Sequence, residues 1–119
     1  MSIKIYHNPR CSKSRKTLEI LERAGVSPTI VEYLKFPPSA DETLRNARLL
    51  EVPVAHLLRK GEDEFKNAAD LPGLDDDAAL ATWLERHPRV IERPIVVDDV
   101  AERAVIGRPP ENVLELVAK

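Results

Sequence analysis

The chain has a single cysteine, Cys11, in 119 residues. It cannot close a disulfide on itself, so an oxidising compartment has no special claim on it. No charge-free apolar stretch approaches the roughly 20 residues needed to cross a bilayer. The N-terminus runs straight into a strand pattern, without the apolar core of a signal peptide. Internal repeats and low-complexity tracts are lacking too. Net charge is only -2, which argues against a general nucleic-acid or polybasic membrane binder. The 18 basic residues still leave enough for a local anion site. These absences point to a cytoplasmic protein of one domain, 1–119, long enough to bury a core without staples, and a monomer is expected.

The cysteine that is present occupies a telling position. Ile3 to Tyr6 (IKIY) reads as a strand, and Asn8-Pro9 as a turn, because proline presets φ and disfavours helix at the residue before it. From Ser12 the pattern is helical, with Leu18, Leu21 and Ala24 at intervals of three, Ile20 on the same face and Gly25 as the stop. Cys11 thus falls at or next to the N-cap, where unpaired N–H groups and the positive end of the helix dipole meet its sulfur. Arg10, Lys13 and Arg15 add positive charge, and His7 lies one short turn upstream. A thiol of ordinary pKa, about 8.5, is lowered to roughly 3.5–7.5 in such surroundings. A lone cysteine is most often a small buried hydrophobe. One ringed by four basic or imidazole side chains at a strand-to-helix turn reads as a nucleophile.

Beyond that helix, Thr29 to Leu34 (TIVEYL) reads as a second strand, and a strand–helix–strand unit of this length predicts a right-handed parallel crossover. Residues 39–88 then read as a helical insertion. Ser39 and Glu42 form a capping-box spacing ahead of Leu44, Ala47 and Leu50. A short helix is expected over Val54 to Lys60 and a weaker one over Glu62 to Ala69. A longer helix carries the negative charge of Asp75-Asp76-Asp77 in its first turn and Leu80, Trp83, Leu84 and His87 on one face, closed by Pro88. Pro94 to Val97 and Ala104 to Ile106 suit an antiparallel hairpin, and Pro109-Pro110 leads a last helix. The order β-α-β, helical insertion, β-β-α, with a cysteine opening the first helix, predicts an α/β thioredoxin-like fold with a mixed four-stranded sheet.

Three arginines are candidates for binding what the thiolate attacks. Arg59 ends an apolar helical stretch, Arg93 precedes Pro94 and a strand, and Arg108 follows Gly107 at the turn into the last helix. Arginine presents a planar fork of donors that matches an oxyanion and does not deprotonate. Arg23 and Arg45, by contrast, read as plain helix exteriors.

These segments carry a resemblance. Tyr6-His7-Asn8-Pro9-Arg10-Cys11 with Ser14-Arg15, Leu57-Leu58-Arg59-Lys60, Arg93-Pro94-Ile95-Val96-Val97 and Gly107-Arg108-Pro109 occur in order along the whole chain. In these blocks the chain resembles the glutaredoxin-coupled arsenate reductase family, as a short member. The resemblance implies Cys11 as nucleophile and Arg59, Arg93 and Arg108 as an oxyanion-binding trio. His7, Ser14 and Arg15 would shape the cysteine loop. It also implies arsenate or a similar oxyanion as substrate, glutathione as co-substrate, glutaredoxin as partner, no bound cofactor and no metal. A cis bond at Arg93-Pro94 follows from the same likeness.

Other classes fit less well. A phosphatase-type arsenate reductase requires Cys-x5-Arg, and residue 17 is threonine. A monothiol glutaredoxin shares the CxxS form of Cys11-Ser12-Lys13-Ser14 but has no need of the arginines. Polymerase-binding regulators of the same fold family generally carry Cys-x-x-Cys, where this chain has Ser14.

Overall fold

The computed structural model describes residues 2–92 and 94–117. The elements run β1 (Ile3–His7), α1 (Ser12–Arg23), β2 (Thr29–Glu32), α2 (Ala40–Leu50), α3 (Asp63–Lys66), α4 (Asp77–Arg86), β3 (Ile95–Asp98), β4 (Arg103–Ile106) and α5 (Leu114–Val117). Single turns of 3-10 helix lie at Val54–Leu57, Pro88–Val90 and Pro110–Val113. The chain divides into two compact units, Met1–Tyr33 with Arg93–Lys119, and Leu34–Glu92.

The first unit is built on a four-stranded sheet of order β2-β1-β3-β4. β1 and β2 are parallel, while β1–β3 and β3–β4 are antiparallel. The sheet is therefore mixed, and its β-α-β and β-β-α halves make the expected thioredoxin-like arrangement. Alternation along the strands sends Ile3, Ile5 and Val96 to one face, where they pack with Leu21 of α1 and with Val113 and Leu116 of the C-terminal turn and helix. Fully burying side chains of this size stabilises the fold by about 1.5–3 kcal/mol each. α1 stops where expected, since Gly25 takes the left-handed conformation (φ 83°) that helix exits favour. β2 ends at Glu32, two residues early, because its partner β1 ends at His7, which pairs with Glu32.

In the second unit α2 begins at Ser39, whose hydroxyl accepts the Glu42 N–H at 3.1 Å. α4 begins at Asp76, whose carboxylate accepts the Ala79 N–H at 3.1 Å. The Ser39 start is the one that the capping-box spacing predicted, whereas Asp76, expected as first-turn charge, is itself the cap. The helix expected over residues 54–60 is cut short. One 3-10 turn behind Pro53 gives way at Leu58, which pairs antiparallel with Ile91. The Arg59 N–H donates to Val90 O and the Glu92 N–H to Leu57 O, both at 2.6 Å. Backbone pairing with a distant segment has overridden a helical pattern only one turn long. The expected 62–69 helix shrinks likewise to the single turn α3. The last helix starts as a 3-10 turn at Pro110 before becoming α5.

Candidate active site

The cysteine loop is a β-turn that its own sequence closes. Asn8 accepts the Cys11 N–H through its carbonyl at 3.0 Å, with Pro9 at the turn's second position, where its fixed φ is wanted. The Asn8 side chain also accepts the Arg10 N–H at 3.0 Å. Cys11 is the N-cap of α1, in extended conformation (φ -91°, ψ 122°), and its carbonyl accepts the Arg15 N–H. It is partly exposed, and no acidic residue lies in the first turn of α1 to offset the positive helix end. Arg15 reaches back across the loop, donating from Nη1 to Pro9 O at 2.8 Å.

Beneath the loop lies a buried polar pair. Ser14 is fully buried and His7 nearly so, with His7 Nδ1 2.6 Å from Ser14 Oγ. Ser14 Oγ also accepts the Asn8 N–H at 3.1 Å, which leaves its own hydrogen available to Nδ1. Burial pushes the His7 pKa below 6.5; Glu32, its strand partner, opposes the shift and Arg15 adds to it. His7 is thus a neutral ring that ties the end of β1 to the first turn of α1.

Strand register places further residues at this end of the sheet. Tyr6 pairs with Ile95, and Ile95 with Ile106, so His7, Pro94 and Gly107 come level where the strands end. The Gly107 N–H donates to Pro94 O at 2.8 Å, and Arg108 follows, half-buried, before a cis Arg108–Pro109 bond. Asn112 holds this turn by donating to Ile106 O (3.2 Å) and Arg108 O (3.0 Å). Arg93, and with it the Arg93–Pro94 bond expected to be cis, lies outside the described residues. Arg59 belongs to the second unit, where its Nη1 pairs with Glu62 Oε1 at 3.1 Å. Of the expected residues, the sheet unit thus gathers His7, Cys11, Ser14, Arg15 and Arg108 at one strand end.

Three contributors were missed from sequence: Glu62, Asn112 and Thr17. Thr17 is fully buried on α1. Its spacing, three residues from Ser14 and four from Leu21 on the buried face of α1, was the available signal. Among the described residues, no group of three or more His, Cys, Asp or Glu could hold a metal ion, and no helix is long and apolar enough to cross a membrane.

Comparisons with known proteins point to one family and one fold. The ArsC family model matches residues 6–116. An arsenate reductase of Haemophilus influenzae is 42% identical over 118 residues, spanning 98% of this chain and 100% of its own. The uncharacterized protein YfgD of Escherichia coli is 47% identical over 119 residues, spanning 97% and 96%. Among solved structures, an arsenate reductase from Vibrio cholerae matches with a TM-score of 0.84 at 42% identity, covering 97% of each chain.

Proposed function

The chain belongs to the ArsC family, and from that premise we propose an arsenate reductase, an oxidoreductase whose nucleophile is Cys11. The observation that carries the reading is the setting of Cys11: a partly exposed sulfur at a helix N-terminus with no acidic residue in its first turn, above the His7–Ser14 pair. Unpaired N–H groups and the charges of Arg10, Lys13 and Arg15 favour the thiolate there.

The thiolate attacks As(V) and displaces one hydroxyl as water, giving a Cys11–S–As(V) adduct. Arg59, Arg93 and Arg108 neutralise the arsenate oxygens through bidentate donors. Glutathione displaces a second hydroxyl. A glutaredoxin thiol then takes the glutathione sulfur as a mixed disulfide, and the electron pair of the broken As–S bond reduces arsenic to As(III). Hydrolysis of the remaining bond releases arsenite and regenerates Cys11. One protein thiol suffices because the other two come from outside the chain. His7, Ser14 and Arg15 keep the loop in shape. In this reading the chain is one thioredoxin-like domain, residues 39–88 an insertion in it, and the protein a cytoplasmic monomer.

The test is NADPH consumption with glutathione reductase, glutaredoxin, glutathione and arsenate. We expect arsenate-dependent turnover that stops when glutathione is omitted. A wild-type protein without arsenate-dependent rate, beside an active reductase in the same assay, overturns the substrate.

A further inference from the structure

Gly107 is the one glycine that its neighbours leave no room to replace. Its φ is outside the left-handed region, so the backbone does not demand glycine. Space does. A Cβ there would stand 2.6 Å from Thr17 Oγ1, 3.1 Å from Thr17 Cγ2 and 2.9 Å from Pro94 Cγ. The proline ring can repucker, but Thr17 has nowhere to go. It is fully buried, its branched side chain is stiff at χ1, and its hydroxyl donates to Lys13 O at 2.8 Å. Lys13 in turn lies two residues beyond Cys11, in the first turn of the same helix. The bare backbone at 107 therefore rests directly on the helix that Cys11 caps, and Arg108 is the next residue.

We infer that Thr17 and the side-chain-free Gly107 form a steric key that sets the distance of the Arg108 guanidinium from Cys11. Gly107 and Thr17 are positioning residues: neither needs to touch the substrate. The consequence for oxyanion binding rests on the arsenate reductase reading, whereas the placement of positive charge at Cys11 does not. Adding one methyl group at 107 forces the turn off α1 and carries Arg108 away with it. Removing the Thr17 side chain at the same time returns the space, so the double substitution undoes the single one.

The test compares alkylation of Cys11 by iodoacetate, an anion, with alkylation by iodoacetamide, its neutral analogue. The ratio of the two rates reports positive charge beside the sulfur and is insensitive to general loosening of the fold. We expect Arg108→Gln to lower the ratio by about threefold. Gly107→Ala should lower it comparably, and Thr17→Ala combined with Gly107→Ala should restore it. An unchanged ratio in Gly107→Ala or in Arg108→Gln overturns the inference, as does an equal fall in the double variant. Should Gly107→Ala alone fail to fold, a folded double variant with a wild-type ratio supports the key, and one that does not fold or keeps the low ratio overturns it. If this pattern holds while wild type shows no arsenate turnover, the substrate reading falls and the key stands.

Discussion

The two units bury different chemistry. In the helical unit, residues 34–92, the buried set is almost wholly apolar: Ala47, Val54, Leu57, Leu58, Leu80, Ala81, Trp83, Leu84, Val90 and Ile91, with Thr43 and Asn46 as the polar exceptions. Other polar groups of this unit cap helices, as Ser39 and Asp76 do, or meet a buried donor from the surface, as Asp70 accepts the Trp83 Nε1–H. In the sheet unit His7, Asn8, Ser14 and Thr17 are all buried within a few residues of Cys11. Among the described residues of that unit, the remaining buried polar one is Asp98, at the other end of the sheet, which accepts the Val100 and Ala101 N–H groups. Buried polar groups must find partners to be tolerated. Concentrating them around one sulfur is costly unless they hold a site in place. The helical unit invests burial in stability, and the sheet unit invests part of it in geometry.

That contrast is open to attack by substitution. The largest effect belongs to Cys11→Ser, which should abolish turnover while leaving the melting temperature close to wild type. Position 11 is an N-cap in extended conformation, where serine is a preferred residue. Calorimetry beside the coupled assay checks both halves, and a large loss of stability would mean that Cys11 is also a packing residue.

Next is Trp83→Ala in the helical unit. The side chain is fully buried, donates to Asp70 at 3.0 Å and stacks on His87 at a centroid distance of 4.2 Å. Its removal should cost about 3–5 kcal/mol in urea unfolding. At temperatures where the variant remains folded, the alkylation rate of Cys11 should be unchanged. A changed rate would dissolve the division of labour.

Ser14→Ala should be smaller in stability and larger in chemistry. It strips a partner from buried His7 Nδ1 and from the Asn8 N–H, a loss of about 1–3 kcal/mol. It should also alter the alkylation rate of Cys11, three residues away on the loop those bonds hold. A stability loss with no change in reactivity would make the pair purely structural.

The smallest effect is one of pH. Burial holds the His7 pKa below its unfolded value of 6.5. The unfolded chain therefore binds a proton before the folded one does. The neutral ring's contribution is fully present above pH 6.5 and is lost as pH falls through the lower folded value. Stability measured by urea unfolding should decline on acidification below 6.5, and His7→Gln should remove that part of the slope. An identical slope in the variant would assign it to other groups.

Much of the site could be read before any coordinates because its determinants are local. Asn8-Pro9 makes the turn, Cys11 falls at the cap, and apolar periodicity sets the helix, all within the span of Ile3 to Gly25. The cap at Ser39 was legible for the same reason, since its side chain bonds a backbone group three residues on. The expectations that failed at Val54 to Lys60 failed where a distant strand partner, Ile91, competes with a weak local preference.

The sequence by itself thus determined the order of the main elements and put the sole cysteine at or beside a helix cap. Only the tertiary structure decided that Arg59 pairs with Glu62, that His7 lies under the loop on Ser14, and that Gly107 must be bare because Thr17 fills its space. The physical reason is the reach of each interaction. Propensity, capping and turns act within about one helical turn along the chain. Sheet register and close packing act between residues that sequence separates by dozens of positions, and their outcome exists only once the strands have paired.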